Sequence, residues 1–373
     1  MLPATKSHRF SLAVVVPSSL DAMAGRSNLL SLPPADKVVV LVVDGLGASS
    51  LAARAGHART LAPLLTPAST IGSRFPTTTA SALASLTTGV APGIHGLVGY
   101  TVLDAAHDRV VNQLTGWDDR LDPATWQRAR TLFETAGVPS FAIGMERYRL
   151  TGFTEAVLRG AEFRSGATIA DRLAEARSVL DGNDRALIYL YVPELDQAGH
   201  ANGWQSPQWT AALEQLDGAV RDFEAGLGRR EGMLVTADHG MLDVPASSQL
   251  FFDSDPSLID GIRHVAGEPR ALQLHFEPDA SAEHRERVLE RWRAAEGGRS
   301  WIVSREEAIE SGWFGPVVDP EVAPRIGDLI VAARKQVAYY DSRAGVPQMI
   351  GQHGSWTAEE TSIPLLRFGA FRP

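Results

Sequence analysis

Three uninterrupted apolar runs stand out in the chain, and none of them alternates regularly with polar residues. They are KVVVLVV at residues 37–43, LIYLYV at 187–192 and MLVTA at 233–237. A strand that is covered by helices on both faces of a parallel sheet has this texture. The pattern therefore predicts three buried strands of one parallel sheet.

Segments with helical periodicity lie beside these runs, at residues 79–88, 124–136, 169–180 and 207–226. Strands that alternate with helices are typical of a doubly wound α/β fold. The predicted fold class is accordingly α/β, with a mostly parallel sheet flanked by helices.

The stretch 255–325 has a different character. It contains a strand-like ALQLHF and a charged amphipathic helix at 281–295, before DLIVAAR resumes the texture of a core strand. We interpret it as a small α/β cap at 255–325, inserted into a core made of 1–254 and 326–373.

The amino-acid composition excludes several kinds of site and partner. The 373 residues include no cysteine, which excludes disulfides, thiolate metal ligands and a cysteine nucleophile. The formal net charge is −9 and no Lys/Arg-rich block occurs, so a nucleic-acid polymer is not expected as a partner. A small anionic substrate remains possible, because bound cations can set the local field.

No apolar run reaches the roughly twenty residues of a membrane span. Lys6, His8 and Arg9 precede the apolar residues 10–16, and Ala22 to Ala24 resemble a cleavage site. Because Pro17 and Asp21 interrupt that region, we predict a cytoplasmic protein, with export through a weak N-terminal signal as the alternative.

Acidic and imidazole side chains follow each apolar run. Asp44 follows the first, Asp196 and His200 follow the second, and Asp238 with His239 follows the third. Open α/β folds bind ligands at the carboxyl ends of their strands. In a helix, the spacing of Asp196 and His200 puts both on one face. Taken singly, Asp44 could be a turn residue and the pair could belong to a solvated loop.

Another candidate ligand is His353, in IGQHGSW, which would be an ordinary loop histidine in isolation. It gains meaning as a third ligand beside Asp196 and His200. Imidazole and carboxylate ligands without thiolates favour Zn²⁺, with Mn²⁺ as the alternative, because Mg²⁺ prefers oxygen alone.

The segment RFPTTTASALASLTTG predicts a helix that begins among its threonines and ends near Gly89. A helix N-terminus binds phosphate readily. A hydroxyl there becomes a nucleophile if a metal ion helps to deprotonate it. Alternatively, these hydroxyls only cap the helix. The residue pattern leaves four rival hydroxyls, on Thr77, Thr78, Thr79 and Ser81.

Together these motifs resemble the alkaline phosphatase superfamily, most closely its nucleotide pyrophosphatase/phosphodiesterase branch. The matching pieces are VVVLVVDGLG, FPTTTASALASLTTGVAPGIHG, YVPELDQAGHANG, VTADHGM and GQHGS. They cover the core from about residue 37 to 241, and again near 353. The resemblance implies an alkaline phosphatase-like fold and a hydrolase of phosphoester bonds.

The resemblance also implies two divalent ions. The ligands of the first would be Asp44, Thr79, Asp238 and His239. The ligands of the second would be Asp196, His200 and His353. In this family the nucleophile precedes the glycine of a TG motif by ten residues. Counting back from Gly89 selects Thr79.

Substrate contacts are a separate set of expectations. Many diesterases of this branch carry an asparagine three residues after the nucleophile, where this chain has Ala82. The backbone N–H of Ala80 could bind the phosphoryl oxygen instead. Loops after Gly96 and the cap should supply the rest of the pocket. The candidates are Tyr100, Trp117, Arg147 and Arg270.

Three functions are compatible with these residues. The first is a phosphodiesterase or nucleotide pyrophosphatase, in which Thr79 attacks phosphorus and water hydrolyses the phospho-threonine. The second is a phosphomonoesterase or phosphonate hydrolase that clamps a dianion with arginine. The third is an inactive metal- or phosphoester-binding protein, which the seven intact ligand positions argue against. The sequence gives no indication of the oligomeric state.

Overall fold

The computed structural model describes residues 2–3, 8–345 and 349–372. Strands are numbered along the chain. The larger sheet contains β1 (Lys37–Val43), β2 (Thr70–Gly72), β5 (Ser140–Gly144), β6 (Glu162–Ser165), β7 (Ala186–Val192), β8 (Glu231–Thr236) and β17 (Ser362–Gly369). The smaller sheet contains β3 (Thr101–Asp104), β4 (Arg109–Asn112), β11 (Ile262–Glu268), β12 (Ala271–Phe276), β13 (Ser300–Ser304) and β14 (Leu329–Ala333). Two short pairs are β9 (Leu242–Asp243) with β16 (Gly351–Gln352), and β10 (Gln249–Phe251) with β15 (Ala338–Tyr340).

The larger sheet has the strand order β2-β17-β8-β1-β7-β5-β6. Strands β8, β1, β7, β5 and β6 run parallel, whereas β17 is antiparallel to both β8 and β2. All three predicted strands are present, side by side and buried. The α/β fold with a mixed, mostly parallel sheet is thereby confirmed.

Helices cover both faces of this sheet and pack on the second one. They are α1 (Val15–Met23), α2 (Ala48–Ala53), α3 (Thr79–Thr88), α4 (Pro92–His95), α5 (Pro123–Trp126), α6 (Gly152–Leu158), α7 (Ile169–Gly182), α8 (Glu194–Asn202), α9 (Pro207–Glu224), α10 (Ala282–Glu296), α11 (Arg305–Glu310) and α12 (Ala358–Thr361). The predicted helices at 79–88, 169–180 and 207–226 correspond to α3, α7 and α9.

The helix predicted at 124–136 is wrong beyond its first turn, because α5 ends at Trp126. The buried side chain of Gln127 donates to the carbonyl of Ala156, at 2.9 Å, and accepts from the N–H of Ala129. The hydroxyl of Thr131 donates to the carbonyl of Arg159. Side-chain hydrogen bonds to distant backbone thus replace the helical ones.

The second sheet has the order β13-β14-β12-β11-β3-β4 and lies outside the central one. Strand β14 is a buried strand, as the texture of DLIVAAR predicts, and it pairs with β12 and β13 in this second sheet. Strands β3 and β4 come from residues 101–112, far before the interval 255–325. The domain boundaries at 255 and 325 stay a prediction, but this sheet draws strands from both sides of them.

The N-terminal apolar run belongs to the main core. Val15, Val16 and Met23 are buried in α1 and pack in the same hydrophobic cluster as β1. Lys6 lies outside the described residues. Among the helices of the described part of the chain, none has both the length and the apolar character that a membrane span requires.

Candidate active site

The carboxyl ends of three adjacent strands converge on one point. Strand β1 lies between β7 and β8, with Val43 opposite Val192 and Val42 opposite Thr236. The three strands therefore end at the same level of the sheet. Asp44 follows β1 directly, and Asp238 comes two residues after the end of β8.

Asp196 and His200 lie on α8, which begins two residues after β7 ends. The predicted helical spacing is thus confirmed. The Nε2 atom of His200 is 3.2 Å from Oδ1 of Asp196. Gly45 turns the chain after Asp44 with φ +73°, and a Cβ there would lie 3.2 Å from the Cα of Asp196. A glycine at this turn lets α8 approach the end of β1.

His353 lies beside the same strand ends, although it is far from the other candidate ligands in the sequence. It follows β16, which pairs with β9 just after the Asp238–His239 motif. The Nε2 atom of His353 lies 3.3 Å from Nε2 of His200. Its ring stacks on that of His239, so the late histidine joins both ligand sets.

All three imidazoles are held by backbone carbonyls at Nδ1. The distances are 2.8 Å from His200 to Gly351, 3.1 Å from His239 to Gly240, and 2.8 Å from His353 to Thr77. A carbonyl oxygen only accepts, so each Nδ1 carries the proton. Each Nε2 lone pair then points to the centre, as in metal-bound histidines whose other nitrogen donates to backbone.

The ligand atoms form two overlapping groups. Asp44, Asp238 and His239 make one, and Asp196, His239 and His353 make the other, each with ligand atoms within 4.8 Å of one another. One carboxylate oxygen of each aspartate is buried without a hydrogen-bond partner. Buried carboxylate oxygens of this kind need a compensating charge. The donor set therefore fits divalent cations held by nitrogen and oxygen.

The pKa shifts of the clustered carboxyl and imidazole groups also favour a bound cation. Burial, together with the carboxylates of Asp196 and Asp238, raises the pKa of Asp44 well above its usual range. Burial would also raise the pKa of Asp196, but His200 outweighs it and the pKa falls to about 2. Burial and the neighbouring imidazoles lower the pKa of His353. The shift of Asp44 thus reports carboxylates crowded in a buried space, where a bound cation would relieve their repulsion, and the shift of His353 favours the neutral imidazole that a metal ion requires.

The structure separates the rival hydroxyls. Thr77 donates to the carbonyl of Ser355 at 2.8 Å and accepts from the N–H of Gly354, so its hydroxyl is used structurally. Thr78 is the N-cap position of α3. The hydroxyl of Thr79 instead lies 3.3 Å from Nε2 of His239. Thr78 and Thr79 both line the cavity of the candidate ligands, and the Thr79 hydroxyl is the one within 3.3 Å of a ligand atom, whereas the Ser81 hydroxyl is buried without a hydrogen-bond partner.

Two cavities meet at Thr79. The first cavity, of about 430 Å³, is lined by the candidate ligands Asp44, Asp196, His200 and His353 and is called the metal cavity below. The apolar cavity, of about 340 Å³, lies beside it. Their walls share four residues, which are Thr79, Leu114, Tyr148 and Tyr191.

Two residues near the ligands escaped the sequence analysis. The hydroxyl of Tyr191 donates to Oδ2 of Asp44. Glu268, at the end of β11, accepts from the N–H of Tyr100 at 3.0 Å and lines the metal cavity. The only sequence signal for Tyr191 was a polar-tipped aromatic near the end of a central strand. Glu268 gave none, because its strand belongs to the second sheet.

The predicted substrate residues have different outcomes. Ala80 is buried at the second position of α3, and Tyr100 lines the metal cavity. Arg147 lines the apolar cavity and donates to the hydroxyl of Tyr148 at 2.9 Å. Trp117 lies outside both cavity walls, with its indole donating to the carbonyl of Gln113.

The prediction for Arg270 is wrong. Its guanidinium is fully buried, and its Nε and Nη2 donate to the carboxylate of Glu360 at 2.7 and 3.0 Å. Its remaining amino group donates to the carbonyls of Val337 and Lys335. Arg270 is therefore a structural residue with no group directed at the ligand cluster.

Comparisons with known proteins give one family. A family model described as type I phosphodiesterase / nucleotide pyrophosphatase matches residues 38–356. An uncharacterised pyrophosphatase/phosphodiesterase of Schizosaccharomyces pombe is 24% identical over 248 residues. That match covers 58% of this chain but only 47% of the relative, so the chain spans about half of the relative's length.

Solved structures share the fold. Murine ectonucleotide pyrophosphatase / phosphodiesterase 5 matches with a TM-score of 0.67 and 17% identity, covering 89% of this chain and 88% of that one. An inactive variant of it has been solved in complex with AMP. Phosphonoacetate hydrolase from Sinorhizobium meliloti, in complex with phosphonoformate, has a TM-score of 0.66 and 17% identity, covering 90% and 91%.

Proposed function

Because the chain belongs to the type I phosphodiesterase / nucleotide pyrophosphatase family, which is metal-dependent and acts on phosphoester bonds, we propose that it hydrolyses a phosphodiester or a pyrophosphate by covalent attack of Thr79. One observation carries this proposal. The Thr79 hydroxyl is 3.3 Å from His239 Nε2, at the start of a helix and on the wall shared by both cavities.

We assign the residues of the cluster to two ligand sets, giving His239, which lies within reach of both groups, to the first set and His200 to the second. The first set is Asp44, Thr79, Asp238 and His239. The second set is Asp196, His200 and His353. Zn²⁺ suits these imidazole and carboxylate ligands best, with Mn²⁺ as the alternative. When bound, such ions lower the pKa of a coordinated hydroxyl and stabilise charge on phosphoryl oxygens.

The start of α3 supplies the remaining stabilisation. The N–H groups of Thr79, Ala80 and Ser81 have no acceptor within their own helix, because the first turn leaves them free. They lie beside the attacking oxygen and can donate to a phosphoryl oxygen. A preorganised donor of this kind is typically worth roughly 3 kcal/mol in the transition state. This contact would replace the asparagine that Ala82 does not provide.

The chemical step follows from this arrangement. The Thr79 oxygen forms a bond to phosphorus as the bond to the leaving alcohol or phosphate breaks. Water then hydrolyses the phospho-threonine and restores the hydroxyl. The substrate is a small phosphoester, in keeping with the AMP bound by one protein of the same fold. The cysteine-free composition is compatible with the cytoplasm, the location we keep as a prediction.

Replacement of the hydroxyl tests the proposal. With zinc-loaded protein and bis-p-nitrophenyl phosphate, Thr79→Ala should lose activity at least about 10³-fold, whereas Thr79→Ser should keep measurable turnover. Mass spectrometry of the quenched wild-type reaction should locate phosphate on residue 79. Undiminished activity in Thr79→Ala would show that another group attacks phosphorus.

A phosphomonoesterase or phosphonate hydrolase is the second candidate. The observation that favours it is that Arg147 and Thr79 line the same cavity. An arginine there could clamp a dianion. Comparing p-nitrophenyl phosphate with its bis ester decides between the two. Preference for the monoester, lost in Arg147→Ala, would establish the second candidate.

A further inference from the structure

A carboxyl group from the second sheet lies in the wall of the metal cavity. Glu268 ends β11 and is only 5% exposed. Its Oε2 accepts from the backbone N–H of Tyr100 at 3.0 Å, whereas its Oε1 is buried without a hydrogen-bond partner. A Cβ on Gly354 would lie 2.4 Å from the Cγ of Glu268, so this side chain packs against the residue that follows His353. These contacts hold the carboxyl group beside the site.

No cationic side chain compensates this carboxyl group in the part of the chain that the structure describes. Over the same residues, the wall of the metal cavity contains no lysine or arginine. Arg270 lies two positions further along the chain, but its guanidinium donates to Glu360 and to backbone carbonyls. Glu268 also lies outside both groups of candidate metal ligands. When it is ionised, it therefore adds a negative charge of its own to the cavity.

Phosphoesters differ in the charge that they would bring to this wall. A phosphodiester carries one negative charge, whereas a phosphomonoester carries two above its second pKa, which is about 6. Burial raises the pKa of Glu268 to about 8, so its side chain is a carboxylate at pH 9. Cations bound in the same cavity would favour the carboxylate further. A monoester dianion at this pH therefore meets more repulsion from Glu268 than a diester does.

We propose that Glu268 is a specificity-determining residue, whose carboxylate disfavours a doubly charged phosphoryl group relative to a singly charged one. The proposal rests on the proposed function for the position of the phosphoryl group beside Thr79. Both residues line one cavity of about 430 Å³, so the two charges would lie close together. Two unit charges about 10 Å apart, at an effective dielectric constant of about 20, change an equilibrium roughly tenfold.

Glu268→Gln tests this, because it keeps the shape of the side chain and removes its charge. The assay compares p-nitrophenyl phosphate with its bis ester, using zinc-loaded protein at pH 9. The monoester-to-diester ratio of kcat/KM should rise about tenfold in Glu268→Gln. Glu359→Gln is the matched control, because Glu359 is an exposed acid outside the cavity wall. An unchanged ratio in Glu268→Gln, or an equal rise in the control, would overturn the proposal.

Binding of phosphonates gives a second readout that needs no turnover. Methylphosphonate is a dianion at pH 9, and its monomethyl ester is a monoanion. By calorimetry, Glu268→Gln should increase the affinity for methylphosphonate about tenfold relative to that for the ester. Elemental analysis of each variant shows whether its zinc content has changed, so that altered metal loading is not mistaken for the effect. Equal gains for both ligands at equal zinc content would overturn the proposal.

Failure of the proposed function gives a different result. If the wild-type protein hydrolyses neither ester but Glu268→Gln shifts the relative phosphonate affinities, the proposed reaction fails and the role of Glu268 stands. If the wild-type protein hydrolyses the diester through phospho-Thr79 and neither ratio changes in Glu268→Gln, the reaction stands and the role of Glu268 fails.

Discussion

The imidazole of His239 stacks on the imidazole of His353, with ring centroids 3.6 Å apart and ring planes inclined by 16°. His239 follows a central strand, whereas His353 comes from a loop near the end of the chain. Both rings donate their Nδ1 protons to backbone carbonyls and direct Nε2 to the centre of the cluster. The stack therefore brings the two ligand groups into contact.

Loss of His353 should remove one of the two ions. In His353→Ala, metal content after zinc loading and desalting should fall from about two ions per chain to about one, because Asp196 and His200 lose their third partner. His57→Ala is the control, since that histidine is half-exposed and pairs with Glu214. Two tightly bound ions in His353→Ala would contradict the ligand assignment.

Removal of the Tyr191 hydroxyl should weaken the first ion. In Tyr191→Phe, Asp44 loses a donor that orients its carboxylate. Loss of a group that positions a metal ligand typically costs about 10- to 100-fold in affinity or activity. Zinc titration and diester turnover would measure this. The control is Tyr189→Phe, which alters the adjacent stacked ring; equal effects in both variants would contradict a specific role for Tyr191.

The Arg270–Glu360 pair should matter for stability and not for chemistry. Arg270→Met leaves the buried carboxylate of Glu360 unpaired, at an expected cost of about 3–5 kcal/mol in the free energy of unfolding. The double variant Arg270→Met/Glu360→Gln should recover part of this loss. Urea unfolding measures both. A fall in kcat at unchanged stability would instead restore Arg270 to the site.

Glu268 should make stability depend on pH. Burial raises the pKa of its carboxyl to about 8. Between its ordinary pKa, about 4.5, and that value, the unfolded chain releases this proton while the folded protein keeps it. The free energy of unfolding therefore falls as the pH rises through this window, by up to about 5 kcal/mol in total.

The variant Glu268→Gln isolates this effect. It keeps the side-chain shape and removes the titration, so its stability relative to wild type should improve steadily from pH 5 to pH 8. Urea unfolding of both proteins at each pH, in the metal-free state, gives the difference, because a bound cation in the cavity that Glu268 lines would itself stabilise the carboxylate. A difference that does not change with pH would mean that the Glu268 carboxyl titrates in the folded protein much as it does in the unfolded chain.

Much of the site could be read from the sequence because it lies at strand ends. A non-alternating apolar run predicts a central strand. The residues that follow parallel strands lie together at the carboxyl edge of the sheet. This local logic placed Asp44, Asp238 and His239 together. The helical spacing of Asp196 and His200 added the fourth and fifth candidate ligands, and His353 was added as a possible third ligand beside that pair.

The errors share a different cause. The sequence predicts a substrate contact for Arg270, whereas its guanidinium binds the carboxylate of Glu360. That partner lies 90 positions away, so no local pattern reveals the ion pair. The helix predicted at 124–136 is wrong beyond its first turn because the side chain of Gln127 donates a hydrogen bond to the carbonyl of Ala156. Strand β14 is buried, as its texture predicts, but that texture does not reveal to which sheet the strand belongs. Each of these depends on tertiary contacts that periodicity does not encode.

The central claim is that this chain is a two-metal phosphoesterase. Elemental analysis of the purified protein, together with bis-p-nitrophenyl phosphate hydrolysis before and after chelation, tests it most directly. The account predicts about two zinc or manganese ions per chain, and activity that chelation removes and added metal restores. Absence of bound metal after reconstitution, or hydrolysis that is indifferent to the chelator, would contradict it.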